Sequence, residues 1–262
     1  MKNIQRFLPV LIITVAAIAC GKKKEGETPL EALGVFRRKH PKYKDVPMTY
    51  AGRLDPMASG LLLVLAGEEC KNKEKYLKLG KEYEFEVLFG FATDTYDILG
   101  KVNNCSDILQ NDKMLVKQIK SNLKFFKGKF IQKYPIYSSK TIKGKPLFEY
   151  GRGDLEVEIP EREVDVKSIK FLKIRKISKK KLLENIENRI NKVKGDFRQK
   201  EILGTWHKEL KQENNMFYIA SFKIKCSSGT YVRGIANSLG EKIQIPALAF
   251  LIKRTKIGKW VK

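Results

Sequence analysis

Apolar and polar positions along this chain change period several times, and each change marks an element. Between Thr28 and Lys39, Leu30, Leu33 and Phe36 recur at helical spacing. Thr28 can cap that helix, Pro29 suits its first turn and Glu31 completes a capping box. Arg37, Arg38 and Lys39 fall at its end, where the helix dipole favours cations. The unbroken apolar run from Leu61 to Ala66 predicts a buried strand. Tyr83, Phe85, Val87, Phe89 and Phe91 alternate with Glu84, Glu86 and Gly90, the pattern of a strand with one buried face. Asp112 to Phe126 reads as a helix that stops near Gly128, and Val166–Ile174 and Phe217–Cys226 read as two further strands. Between those two, Leu182, Leu183, Ile186, Ile190 and Val193 return to helical spacing, and Gly195 can end the helix. The polar stretch that follows runs through Asn215. Residues 178–215 are therefore expected to form a helical hairpin inserted between two strands. A solvated surface elaboration is the first reading of it, and a basic arm for RNA the second.

The N-terminus admits two readings. Lys2 and Arg6 precede an apolar run from Leu8 to Ala19 that ends Ala17-Ile18-Ala19-Cys20. A basic start, a short apolar stretch and a Cys after small residues resemble a lipoprotein signal. The run is short for a membrane span. The β-branched Val10, Ile12, Ile13, Val15 and Ile18 suit a buried first strand instead. Read in isolation, residues 1–22 favour the signal.

Composition narrows the function classes. The 262 residues are 42% hydrophobic and 10% aromatic, enough for a core and too apolar for general disorder. The formal net charge of +24 suits a polyanionic partner, because clustered Lys and Arg release counterions from phosphates. It suits equally an ordinary enzyme made soluble by lysine. Cys20, Cys70, Cys105 and Cys226 are far apart, with no CxxC pair, and His40 and His207 are the only histidines. That inventory offers no zinc-ligand spacing, and no GxSxG supports a serine triad. The thiols read as reduced and mostly buried, as in a cytosolic protein.

The segment richest in chemistry is Ala51-Gly52-Arg53-Leu54-Asp55-Pro56-Met57-Ala58-Ser59-Gly60. Glycines and a proline around one Asp make a turn that admits close approach and fixes a carboxylate at its tip. The apolar strand that follows anchors it.

Gly52 through Gly60 resembles the catalytic motif of the pseudouridine synthases, in the TruB family. Four more segments, collinear with it, narrow the resemblance. Lys81-Glu82-Tyr83, followed by Gly90 through Asp97, is similar to that family's tyrosine strand and GxxTDTxD loop. Tyr137-Ser138-Ser139 with Gly144 through Arg152 resembles its YSA…GKxLYExAR segment. Cys226-Ser227-Ser228-Gly229-Thr230-Tyr231-Val232-Arg233 resembles its CSxGTYIR motif. Ala247 through Gly258 follows its closing AHLxxLRRTxxG pattern. The likeness runs from about Lys23 to Gly258, broken by the insertion.

The resemblance implies an α+β fold with a central, mainly antiparallel mixed sheet flanked by helices and an active-site cleft across it. It implies isomerisation of the T-loop uridine at position 55 of tRNA to pseudouridine, without metal or other cofactor. Asp55 would be nucleophile or base, Arg233 would pair with it, and Tyr83 would stack on the uracil and help remove the C5 proton. The uridine would be flipped out of its loop. Tyr50, Tyr231 and Phe250 are candidates to stack on bases, and Arg53, Lys140, Lys143, Lys145, Arg152, Lys253 and Arg254 to hold the RNA backbone. Ile252 would form an apolar wall beside Lys253. The chain departs from the pattern at Tyr50, where the family has His, at Ile252-Lys253-Arg254 in place of Leu-Arg-Arg, and in Lys23 through Pro29, which lacks the first motif's first Pro. Residues 23–262 would be the catalytic domain, without the small C-terminal PUA domain that members often add, and the basic insertion would substitute for it. The family places an apolar strand before the first motif, which turns residues 1–22 toward a strand and the protein toward the cytoplasm. A monomer with no membrane partner is expected. A related synthase acting on another RNA, and a non-catalytic RNA-binding or chaperone module, are the rivals.

Overall fold

The computed structural model describes residues 17–106, 111–153, 155–210 and 216–261. Its strands are β1 (Ala17–Lys23), β2 (Met48–Ala51), β3 (Ala58–Ala66), β4 (Lys81–Phe89), β5 (Phe91–Thr93), β6 (Val102–Cys105), β7 (Gly128–Lys133), β8 (Thr141–Ile142), β9 (Lys145–Pro146), β10 (Glu161–Ser178), β11 (Met216–Cys226), β12 (Ala247–Ile257) and β13 (Trp260–Val261). Its helices are α1 (Pro29–Lys39), α2 (Lys73–Leu77), α3 (Asp112–Asn122), α4 (Leu147–Arg152), α5 (Lys179–Ile190), α6 (Gln199–Glu209) and α7 (Val232–Ile243). The main sheet runs β1-β3-β12-β4-β11-β10-β7, with β2 also on β3 and β13 on β12. Its strand pairs are antiparallel except β12 with β3. The fold is thus α+β around a mainly antiparallel mixed sheet.

Alternation on the strands decides which helices cover which face. Tyr83, Phe85, Val87 and Phe89 of β4 and Ala220, Phe222 and Ile224 of β11 point into one core, where Leu115 and Ile119 of α3 and Ile235, Ala236 and Leu239 of α7 close over them. The opposite face is polar for most of its length, with Glu82, Glu84 and Glu86 outward on β4. Along β4, β11 and β12 it turns apolar at one end, at Leu88, Ile219 and Leu248. There α5 and α6 cover it, through Leu182, Ile186, Ile190, Ile202 and Trp206. The insertion is therefore a structural layer and not a solvated elaboration: its stripe of apolar residues completes a second core. Three contacts tie it down. Trp206 Nε1 donates to the Ile98 carbonyl at 3.2 Å, the Val102 amide donates to Thr205 Oγ1 at 3.1 Å, and Arg189 forks onto both Glu25 carboxylate oxygens at 2.8 Å.

α1 forms as its sequence dictates. The Glu31 amide donates to Thr28 Oγ1 at 3.2 Å and the Thr28 amide to Glu31 Oε2 at 2.7 Å, the reciprocal capping box. The whole of β1 pairs antiparallel with β3, Ala17 opposite Ala66 and Lys23 opposite Gly60. The rest of the signal-like run, residues 1–16, lies outside the described residues. Among the described residues no helix is long and apolar enough to cross a membrane.

Candidate active site

Asp55 sits on the turn that leads into β3. The Ala58 amide donates to the Asp55 carbonyl at 2.9 Å, closing a four-residue turn with Pro56 in its second position, where a fixed φ is an asset. Two buried cations fix the turn from behind. Lys23 Nζ donates to the carbonyls of Pro56 at 3.1 Å and Ala58 at 2.5 Å. Arg254 donates to the carbonyls of Leu61 at 2.8 Å, Gly52 at 3.1 Å and Arg53 at 3.2 Å. Gly60 permits the arrangement: a Cβ there would stand 2.2 Å from the Arg254 carbonyl oxygen, and its φ is +114°.

Arg233 meets Asp55 from the first turn of α7. A helix N-terminus favours anions, so a cation placed there needs a compensating carboxylate, and no acidic residue occupies this first turn. Asp55, 178 residues away in sequence, supplies it: Arg233 Nε donates to Asp55 Oδ2 at 2.8 Å. The other two guanidinium nitrogens donate to the carbonyls of Thr95 at 2.7 Å and Tyr137 at 2.8 Å. Arg233 is 2% exposed, while the Asp55 side chain keeps 38% of its surface open. The pair thus joins an immobilised cation to an accessible carboxylate. Burial works against the Arg233 charge, but Asp55 and Asp97 more than restore it and hold its pKa above the usual arginine value. Asp97 is itself buried, accepts from Thr95 Oγ1 and the Leu99 amide at 2.9 Å, and is pushed up to about 6 by burial against the opposing pull of Arg233.

Asp55 stands on a wall shared by two cavities. The first, about 240 Å³, is lined by Tyr83, Tyr231, Val232, Ile252, Lys81 and Arg254 among others. Burial pushes the Tyr83 phenol up, with the Arg254 charge opposing, and burial likewise pushes up Tyr231, with the Asp55 charge adding. Burial lowers Lys81 to about 8, helped by Arg254. The second cavity, about 410 Å³, is ringed by Tyr50, Tyr137, Phe148 and Phe197 and by Arg53, Arg152 and Arg198. The first is a half-open cleft of mixed polar and apolar lining; the second is aromatic with a basic rim.

The structure brings together Asp55, Arg233, Tyr83, Tyr231, Ile252 and Arg53, the last exposed and on both cavities. Tyr50 lines only the second cavity. Lys253 lines neither. A bulge between Ala249 and Leu251 shifts the phase of β12, so that Ile252 and Arg254 face the cleft and Lys253 the opposite side of the sheet. Phe250 is also not a base-stacking residue: it lies 3% exposed in the second core, under the Arg189 guanidinium. Of the lysines expected to hold RNA, Lys140, Lys143 and Lys145 are exposed and line neither cavity. Lys23, Lys81, Asp97 and Arg198 were not singled out from sequence as site residues. The first three lie inside motifs quoted there, whereas Arg198 carried no signal. Cys226 is buried behind the cleft, and burial pushes its thiol up to about 11, which leaves little thiolate for nucleophilic chemistry. Among the described residues no group of three or more His, Cys, Asp or Glu could hold a metal ion.

Comparison with solved structures gives the fold class. A chain of a Cbf5–Nop10–Gar1 complex superposes with a TM-score of 0.55 at 17% identity, over 95% of this chain and 51% of that one. A chain of an H/ACA RNP bound to a substrate RNA containing 2′-deoxyuridine gives 0.52 at 16% identity, over 95% and 50%. At such identities the likeness concerns the fold alone. Sequence is more specific. The family described as “TruB family pseudouridylate synthase (N terminal domain)” matches residues 39–197. The tRNA pseudouridine synthase B of Lactobacillus acidophilus is 33% identical over 205 residues, 78% of this chain and 57% of that protein. That of Endomicrobium trichonymphae is 30% identical over 208 residues, 79% of this chain and 71% of that protein. The chain belongs to the TruB family of pseudouridylate synthases. It spans 57% of the length of the Lactobacillus acidophilus and Caldicellulosiruptor saccharolyticus relatives.

Proposed function

We propose that this protein converts uridine to pseudouridine in tRNA, acting on the T-loop uridine at position 55. The observation that carries the reading is the Asp55–Arg233 pair at 2.8 Å, with Asp55 on the wall of a half-open cavity that Tyr83 also lines. At about 240 Å³ that cavity falls just below the ~300–1,000 Å³ of ordinary ligand pockets, a size that suits one base better than a whole nucleotide. The target uridine leaves its stack at a cost of a few kcal/mol and enters this cavity. Tyr83 stacks on the ring, and Ile252 and Val232 exclude water from its edge.

The isomerisation breaks the C1′–N1 bond and forms C1′–C5, and the proton on C5 is exchanged for one on N1. The net change in atoms and charge is zero. Asp55 acts on the ribosyl or uracil carbon as nucleophile, or as base. Arg233 holds it in one rotamer and balances its charge at no cost in reorganisation. Tyr83 is the group best placed to receive the C5 proton. Burial keeps its phenol neutral at rest, so it first gives its own proton to N1 of the uracil freed when C1′–N1 breaks; the resulting phenolate, favoured by the nearby Arg254 charge, then takes the proton from C5 and regains its starting state. Arg53 and Arg152 around the second cavity give the phosphates flanking the flipped nucleotide a basic rim.

In this reading residues 23–262 are the catalytic domain, and pairing of β1 with β3 supports taking the segment before Lys23 as its first strand. The reading takes the protein as a monomer acting on tRNA in the cytoplasm. The test is incubation of the purified protein with unmodified tRNA transcript, followed by mapping of pseudouridine. A single new pseudouridine in the T-loop is expected. Modification elsewhere, or in a different RNA only, would replace the substrate; none in any RNA would end the enzymatic reading.

A further inference from the structure

The insertion reaches the cleft with its tip, and the tip touches both segments from which Arg233 hangs. Arg233 is held by Asp55 and by the carbonyls of Thr95 and Tyr137. Arg198, at the start of α6, donates from Nη1 to Asp94 Oδ2 at 2.8 Å, one residue before Thr95. Its guanidinium carbon lies 4.2 Å from the centroid of the Tyr137 ring. Asp94 Oδ1 in turn accepts from the Lys101 amide at 2.9 Å, so the ion pair is tied to the loop backbone. The Arg198 side chain is only 14% exposed although it stands at the rim of an open cavity. Its φ of +61° places a bulky residue in the left-handed region, a conformation that persists only where surrounding contacts enforce it. They do: the Arg198 amide donates to Asp196 Oδ1 at 3.1 Å, and Arg152 Nη2 donates to the Asp196 carbonyl at 2.6 Å.

We propose that Arg198 is a positioning residue, fixing the Thr95 and Tyr137 carbonyls that aim Arg233 at Asp55, and so making the inserted hairpin part of the catalytic apparatus. The proposal rests on the function proposed above for that site. A phosphate contact is the competing role for a rim arginine, but a group already paired with a carboxylate and stacked on a ring has little surface to offer RNA.

The test uses the full chain and its Arg198→Ala, Arg198→Lys and Asp94→Asn variants. Pseudouridine formation is measured at varied tRNA concentration. Exchange of the Arg233 Nε–H with water is measured by ¹⁵N NMR, its resonance identified by its loss in Arg233→Lys. Arg198→Ala should lower kcat about tenfold or more with KM changed less than about twofold, and should speed Nε–H exchange about tenfold. Asp94→Asn should move both readouts the same way. Arg198→Lys keeps the charge but loses the planar face on Tyr137, and should fall between. A raised KM with kcat kept would make Arg198 an RNA contact and overturn the proposal, as would unchanged Nε–H exchange. If Arg198→Ala does not fold, Arg198→Lys and Asp94→Asn decide alone. If the wild-type protein makes no pseudouridine while exchange still accelerates in the variants, the enzymatic reading fails and the positioning role stands.

Discussion

Replacing Arg254 with Met should loosen the turn that carries Asp55 without touching Asp55 itself. Arg254 is 1% exposed and donates to the carbonyls of Leu61, Gly52 and Arg53 at 2.8–3.2 Å. Each hydrogen bond from a charged donor is worth about 1.5–3 kcal/mol, and each buried carbonyl left without its donor costs about 1–3 kcal/mol. Against this, Met no longer requires a cation to be desolvated, which returns several kcal/mol. The two sides do not cancel, because three acceptors lose their donor and only one charge is relieved. A net loss on the order of 3 kcal/mol follows, or about 6–12 °C in Tm for a chain of this size. Arg254→Lys should be milder in stability, since a point charge still satisfies one or two of the acceptors. Activity should fall further than stability suggests. Displacement of a reacting group by about 1 Å costs about 10²-fold, and both variants free Gly52 and Arg53 to move. The assay pairs urea unfolding with kcat at saturating tRNA, well below the variant's Tm. A Met variant within about 1 kcal/mol of the wild type and with unchanged kcat would refute the view that Arg254 holds this turn.

Three other outcomes are expected. Trp206→Ala should cost about 3–5 kcal/mol, because Trp206 is fully buried against Phe91 and donates to the Ile98 carbonyl; calorimetry checks it, and a loss below about 1 kcal/mol would mean that the insertion is not a structural layer. Asp97 is raised from 3.8 to about 6, so the folded state binds more protons than the unfolded chain between those values. Its contribution to stability is complete below about 3.8 and lost as pH rises through about 6, and Asp97→Asn should flatten the urea midpoint across that window. Lys23 and Lys81, lowered from 10.5 to about 8 chiefly by burial, act in the opposite sense: their contribution is present above about 10.5 and lost as pH falls through about 8, so over that alkaline range the urea midpoint of Lys23→Met or Lys81→Met should climb less, or fall more, than that of the wild type.

Much of the fold was legible because the rules that build it are local. The Thr28–Glu31 capping box and the alternation from Tyr83 to Phe89 read directly as α1 and β4. The same alternation breaks at Leu88, and the break was the sequence signal for a layer on the other face; without knowing that α5 and α6 return to cover it, the hairpin looked merely solvated. Faces on β12 could not be read, because a bulge reverses the phase between Phe250 and Ile252: Phe250, Lys253 and Arg254 were all expected to meet RNA, whereas Phe250 lies in the second core, Lys253 faces away from the cleft and Arg254 is buried, holding the Asp55 turn. Asp55, Tyr83 and Arg233 were nominated by resemblance to a family, not by spacing, since 178 residues separate the two members of the ion pair. Buried cations defeat composition altogether: nothing in a lysine-rich sequence distinguishes Lys23, 2% exposed and pinned to the Asp55 turn, from its solvated neighbours. Arg198 depends on an unusual backbone conformation and on partners from two other segments, none of which a local pattern encodes.

The most direct measurement is tritium release from tRNA labelled at C5 of its uridines, with the wild-type protein and with Asp55→Asn, at equal and saturating RNA occupancy. The account predicts rapid release of one equivalent by the wild type and a rate lower by about 10³-fold or more in the variant, with tRNA binding retained, as expected for loss of a covalent or proton-transferring group. Release at the wild-type rate by Asp55→Asn would contradict it.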